Sequence, residues 1–157
     1  MVQHEHELDL RLFRVWMKAY QSFFTNIQKD IEHYDIGFEN FQILELLYSK
    51  GPHPVQKISD ILSIPSGSIT YVVNKLEKQE LVKRQCAPSD KRVFHVRLTE
   101  KGEQLFDDIF PKHTDVISQN LSFIEREEKE QLIELLKKIG LGAKRLCEKG
   151  KQDDTQL

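Results

Sequence analysis

Within ten residues, Ser66, Ser68, Thr70, Tyr71, Asn74 and Lys75 set hydroxyl, amide and ammonium groups on one side of a helix. Ile69, Val72, Val73 and Leu76 fall on the other side. Such groups form hydrogen bonds of modest reach and suit the base edges and phosphates of a nucleic acid. Any exposed helix face is polar, so this face gains meaning only with the hairpin downstream of it. Asp90, Lys91 and Arg92 occupy a turn between two alternating runs. An arginine on a thin β-ribbon can enter a minor groove, where negative potential is focused.

Other chemistries find less support. Catalysis needs a nucleophile with a positioned base, or a metal site. No GxSxG, HExxH, phosphate-binding loop or dinucleotide-binding glycine pattern occurs, so neither an enzyme nor a cofactor is expected. The two cysteines, Cys86 and Cys147, have no CxxC or zinc spacing and read as ordinary reduced thiols. Cys86 is still the candidate for a redox role, because Lys83 and Arg84 beside it would favour the thiolate. His4-Glu5-His6 could clamp a metal, but it sits in an N-terminal tail. His33, His53, His95 and His113 are scattered with no helical pair, so no metal site is expected.

The elements that must position these residues are legible from their periods. Leu12, Trp16, Tyr20, Phe23, Ile27 and Ile31 recur at steps of three or four, widened by Phe13 and Phe24. They predict an amphipathic helix from about Leu8 to His33, ended by Asp35-Ile36-Gly37. A second helix is expected over Glu39 to Ser49, with Phe41, Leu44, Leu47 and Tyr48 inward, and a short one over Val55 to Leu62. Ser63-Ile64-Pro65-Ser66 is a turn. The next helix is expected from Ser66 to Gln79, with the Ser66 hydroxyl as its cap. The period then changes to alternation. Leu81 to Cys86 and Arg92 to Leu98 read as a hairpin, with Val96 and Leu98 on one side. Thr99 caps a helix carrying Leu105, Phe106, Ile109, Phe110, His113, Ile117, Leu121 and Ile124, kinked at Pro111. A last helix is expected over Glu125 to Cys147, and the tail from Lys149 is expected to fray.

Charge is distributed to match. The 157 residues carry a net charge of -2, yet residues 66–97 hold seven basic side chains against three acidic ones. Local phosphate neutralisation governs non-specific DNA affinity, so a basic block on an acidic body suffices. A winged helix that bound protein instead would need neither this block nor Arg92. No apolar run approaches the roughly 18 residues of a membrane span. Residues 1–10 lack the apolar stretch of a signal peptide, so a cytoplasmic protein is expected.

The order short helix, turn, helix, hairpin is that of a winged helix-turn-helix. Asp90-Lys91-Arg92 followed by Val96-Arg97-Leu98-Thr99-Glu100-Lys101-Gly102 resembles the wing signature of the MarR family of transcriptional regulators. That signature is an Asp-x-Arg and then a Leu-Thr-x-x-Gly turn into a helix. Ser68-Ile69-Thr70, Lys75-Leu76-Glu77 and Leu81-Val82-Lys83-Arg84 resemble the family's recognition helix and following strand. The string Ser66 to Val73 is similar to its quinone- and phenol-responsive, MhqR-like branch. Tyr71 departs from the pattern, standing where many relatives carry arginine. Glu80 departs where glycine closes the recognition helix, and Pro65 where a capping serine is common.

The resemblance implies a mainly α fold with a small β-hairpin wing. A winged helix-turn-helix over 36–102 would join a helical dimerisation layer formed by 1–35 and 103–149, with 150–157 as a flexible tail. It implies a homodimer bound to a pseudo-palindromic double-stranded DNA operator, and no membrane partner. Arg92 would be the minor-groove arginine, and Asp90 would orient the wing by pairing with a basic group. Ser66, Ser68, Thr70, Tyr71 and Lys75 would face the major groove and its phosphates. Gln56, Lys57 and Lys91 would add contacts to the DNA. A small phenolic or quinone ligand would sit against Trp16, Tyr20, Phe24, Phe38 and Phe41.

Overall fold

The computed structural model describes the backbone of residues 2–86, 89–90 and 92–153, and within these the side chains from 6 to 148. Its helices are α1 (Val2–Glu32), α2 (Phe38–Lys50), α3 (Val55–Leu62), α4 (Ser66–Lys78), α5 (Glu100–Asn120) and α6 (Arg126–Asp153). Its strands are β1 (Val82–Cys86) and β2 (Phe94–Leu98). Residues 1–120 form one compact unit and residues 121–157 a second.

In the first unit the core is built around α2. Phe41, Ile43, Leu44, Leu46 and Leu47 are all buried, so α2 is covered on nearly every side. Sequence periodicity finds Phe41, Leu44 and Leu47 but misses Ile43 and Leu46, because a helix at the centre of a core has no solvent face to mark a stripe. Onto α2 pack Ile58 of α3, the Ile69, Val72, Val73 and Leu76 face of α4, Val96 and Leu98 of β2, and Phe106 and Ile109 of α5. Removing a side chain as deep as Leu76 would cost about 2–5 kcal/mol, from lost burial and the cavity left behind.

The strands pair antiparallel, from Val82 opposite Leu98 to Cys86 opposite Phe94. A third segment joins them. The His53 N–H donates to the Val96 carbonyl at 3.1 Å, and the Val96 N–H returns to the His53 carbonyl at 2.8 Å. Pairing is thus tied to the loop after α2, and the wing is anchored at its base.

Several boundaries differ from the periodic reading. The helix begun at Glu100 ends at Asn120, so Leu121 and Ile124 lie in the connection to α6. Lys149 does not end α6, whose backbone stays helical to Asp153; residues 154–157 lie outside the described ones. The stripe of α1 is buried only at its C-terminal end. Ile31 is covered, whereas Leu12, Phe13, Trp16 and Tyr20 stay exposed within one chain. In the second unit, α6 likewise leaves Leu132, Ile133, Leu135, Leu136 and Ile139 exposed. Among the described residues no helix is long and apolar enough to cross a membrane.

Candidate nucleic-acid interface

The turn between α3 and α4 sets the angle of α4. Ser63 closes α3 in the left-handed conformation, with φ of 54°. The Ile64 N–H reaches back to the Ser59 carbonyl at 3.2 Å, and the Ser59 hydroxyl donates to the Ile64 carbonyl at 2.6 Å. Pro65 occupies the cap position of α4 with no side-chain cap, which corrects the expectation that Ser66 caps this helix. Ser66 is already helical. Its hydroxyl lies 3.0 Å from Gln56 Oε1 and 3.3 Å from Ser59 Oγ, so it ties α4 to α3 instead. Gln56 is correspondingly engaged, also donating to Asp60 at 3.2 Å, while Lys57 is exposed.

Beyond that tie, Ser68, Thr70, Tyr71, Asn74 and Lys75 form an exposed surface, backed by the buried face of α4. The Thr70 hydroxyl donates to the Ser66 carbonyl at 2.9 Å, leaving its oxygen as an acceptor. Tyr71 is 73% exposed, a large ring held out into solvent. An isolated exposed aromatic needs no explanation by itself; here it stands among hydrogen-bonding groups on the helix that the turn projects.

The C-terminal end of α4 is built around Glu80, whose φ of 61° is left-handed. The Leu81 N–H bonds to the Leu76 carbonyl at 3.0 Å and the Glu80 N–H to the Glu77 carbonyl at 2.9 Å, the paired bonds of a Schellman end. Glu80 therefore adopts the conformation usually taken by glycine. The Leu98 to Gly102 segment docks on this end. The Thr99 hydroxyl donates to the Glu80 carbonyl at 2.5 Å and accepts from the Gly102 N–H at 3.1 Å, capping α5 as its sequence predicts. The Thr99 N–H donates to the Leu81 carbonyl at 3.0 Å. A Cβ on Gly102 would run into that carbonyl oxygen, so only glycine fits without displacement.

At the wing, Asp90 Oδ1 accepts from the Arg92 backbone N–H at 2.9 Å, and the Val93 N–H donates to the Asp90 carbonyl at 3.1 Å. Asp90 thus shapes the turn, and among the described residues it pairs with no basic side chain. Arg92 is exposed, and Lys91 lies outside the described residues. Two of the basic residues are half-buried and engaged by neighbouring side chains. Arg84 is held by Glu77 and Asn74, and Arg97 donates to Gln85 at 3.0 Å. Lys75, Lys78, Lys83 and Arg92 remain exposed as the described cations of this block. Cys86 is exposed, and its cross-strand neighbour is Phe94; Arg84, expected to polarise it, is neutralised by Glu77.

A separate cavity of about 400 Å³ lies in the same unit, between residues of α1, α2, α3 and α5. Phe24, Phe38, Phe41 and Phe110 line it with Ile27, Ile31, Leu62 and Ile117, and Gln42, Glu45, His113 and Thr114 supply polar groups. Of the five aromatic residues expected to hold a ligand, Phe24, Phe38 and Phe41 meet here. Tyr20 stacks on Phe24 at 5.4 Å but borders an adjoining surface groove, and Trp16 lines neither. An α1 stripe continues past the end of the core it covers, which is why a sequence stripe overextends the cavity.

Sequence gives His113 no role beyond its place on the helix, because nothing local marks it. It is 6% exposed, its ring meets Phe41 edge-on at 4.7 Å, and its Nδ1 lies 2.7 Å from Asp30 Oδ2. The Tyr34 hydroxyl donates to the other Asp30 oxygen at 3.0 Å. Burial, reinforced by that bond to a carboxylate, pushes the Tyr34 pKa up to about 12.

The profile of the MarR family matches residues 39–94, from α2 to the start of β2. The HTH-type transcriptional regulator MhqR of Bacillus subtilis (strain 168) is 44% identical over 143 residues, which are 91% of this chain and 99% of that one. Its name is that of the branch the Ser66 to Val73 string resembles. The crystal structure of a MarR/EmrR family transcriptional regulator from Acinetobacter sp. ADP1 superposes with a TM-score of 0.73 at 28% identity, covering 87% of this chain and 96% of that one. BpsR of Bordetella bronchiseptica, whose structure is described as a mechanism for regulation of its DNA binding by 6-hydroxynicotinic acid, shares the fold. It has a TM-score of 0.67 at 20% identity, over 81% of this chain and 91% of that one. With its helix-turn-helix, its hairpin and its relatives in agreement, the chain belongs to the MarR family of winged helix-turn-helix transcriptional regulators.

Proposed function

We propose that this regulator is a homodimeric, ligand-responsive repressor that sets α4 in the major groove of a pseudo-palindromic operator and Arg92 in the flanking minor groove. The observation that carries the reading is the exposed surface of Ser68, Thr70, Tyr71 and Lys75, backed by a fully buried face and flanked by an exposed wing arginine. Ser66 and Gln56 bond to each other, so they act by fixing α4 as well as by touching phosphates. Two-fold symmetry would set two such helices about one DNA turn apart. The uncovered apolar faces of α1 and of α6 supply material for a dimer interface. The protein would work in the cytoplasm, where the chromosome lies. The test is selection of genomic fragments by the purified protein, followed by gel shift at two salt concentrations. Enrichment of a pseudo-palindrome with affinity falling steeply in salt is expected; weak, sequence-blind binding would move the protein towards a partner-binding role.

The effector reading rests on the aromatic cavity. A hydroxylated aromatic acid regulates DNA binding by BpsR. Here Asp30 Oδ2 lies 2.7 Å from Nδ1 of His113, so a ring with a single proton, held at Nδ1, offers Nε2 as an acceptor. A phenolic hydroxyl on a ring bound among Phe24, Phe38 and Phe110 fits such an acceptor. We expect His113→Leu to keep operator affinity while losing release by a phenol, measured by gel shift with increasing ligand. Cys86→Ser should stay responsive; a dead response there would make the thiol the sensor.

A further inference from the structure

Arg84 belongs to the basic block, yet its charge is engaged by side chains of α4. Its guanidinium pairs with the Glu77 carboxylate and donates through Nη2 to Asn74 Oδ1 at 2.8 Å, while its backbone N–H donates to Glu77 Oε1 at 3.1 Å. The three side chains join the third turn of α4 to β1. A guanidinium has donors only, so the Asn74 atom that faces it is the carbonyl oxygen. The amide is therefore held in one sense. One lone pair of its oxygen is taken by Arg84, and its Nδ2 keeps two N–H donors on a residue exposed on α4. Tyr71 and Thr70, three and four residues earlier, share that surface.

We infer that Asn74 reads DNA mainly as a donor, and that Arg84 is the positioning residue that makes it so. A free amide reads adenine by presenting a donor and an acceptor together. In Asn74 the oxygen is already turned to Arg84, so its N–H groups are the part of the amide left to face outward. They fit an acceptor: O6 or N7 of guanine, O4 of thymine, or a phosphate oxygen. Arg84 thereby gives up a phosphate contact of its own and sets the polarity of its neighbour. This inference rests on α4 being the DNA-contacting helix.

The experiment measures affinity for the selected operator and for random duplex in Asn74→Ala, Asn74→Asp, Arg84→Ala and the Asn74→Ala/Arg84→Ala double variant. Asn74 is exposed, so its variants should fold. Asn74→Asp keeps an oxygen for Arg84 but has no donor, and its charge faces phosphates. We expect operator affinity to fall about tenfold in Asn74→Ala and further in Asn74→Asp. The double variant should bind no worse than the weaker single one, because both remove one coupled contact. A fall in the operator-to-random ratio would support a base acceptor as the partner; equal losses on both duplexes would support a phosphate. Asn74→Asp binding as tightly as the parent, or losses that multiply in the double variant, would overturn the inference. If Arg84→Ala fails to fold, Asn74→Asp decides alone. Tyr71→Ala and Arg92→Ala serve as controls: if they too leave binding unchanged, it is the reading of α4 that fails.

Discussion

Glu80 holds a conformation that disfavours any residue with a Cβ, by on the order of 1 kcal/mol. Its contact with Lys101, 3.8 Å apart with both side chains largely exposed, returns little. Glu80→Gly should therefore raise stability by up to about 1 kcal/mol in urea unfolding, less the extra freedom glycine gives the unfolded chain. Glu80→Val should lower it by more than about 1 kcal/mol, because a branched Cβ tolerates the left-handed region worst. If valine were harmless, the Schellman end would not be what closes α4. Tyr34 makes a prediction about pH. Its folded pKa of about 12 lies above the ordinary 10.0, so between these values the folded chain keeps a proton that the unfolded chain has released. That contribution is full below pH 10 and is lost as pH rises through about 12. Denaturation measured across this window should show a steeper alkaline loss in the parent than in Tyr34→Phe; identical slopes would mean that Asp30 and burial do not hold the phenol neutral.

On the proposed reading, the wing and α4 make separate contacts with DNA from one support. Arg92→Ala removes a cation from an exposed tip whose turn is set by the Asp90 carboxylate and backbone, not by the arginine side chain. Operator affinity should fall about tenfold or more while the protein stays folded and dimeric, as read by gel shift beside sedimentation. Unchanged affinity would remove the wing from the interface. At this scale the chain is readable wherever the signal is local. The short helix Val55 to Leu62, the buried stripe of α4, the alternation of β2 and the Thr99 cap all stand where spacing puts them. What spacing hides are partnerships between distant segments. His53 pairs with Val96, His113 with Asp30 and Arg84 with Asn74, and each looks unremarkable beside its own neighbours. The Ser66 hydroxyl misleads for the same reason. A serine at a helix start suggests a cap, but Gln56, ten residues earlier, offers it a different partner.

At the scale of the whole molecule, each unit leaves apolar surface uncovered, on α1 between Leu8 and Tyr20 and on α6 between Leu132 and Ile139. If these faces bury each other's copies, a charge placed there should be severe. Leu136→Glu is expected to shift the protein towards monomer in sedimentation at micromolar concentration, and to weaken operator binding more than tenfold through loss of the paired half-site. A dimer that survives would exclude that part of α6 from the interface. The helix α5 carries a further consequence. Its first turn is locked through Thr99 and Gly102 to the Glu80 and Leu81 carbonyls, while Phe110, His113 and Thr114 in its second half wall the cavity. From Gly102 to His113 the rod is about 16 Å long at the usual helical rise. If a ligand enters the cavity as proposed, pushing the far end sideways would turn the near end, and a joint with so little slack would pass the turn to the tail of α4. If two copies of α4 meet successive grooves as proposed, they tolerate only small angular error, so a displacement of a few ångströms at the cavity would be enough to spoil the fit of both.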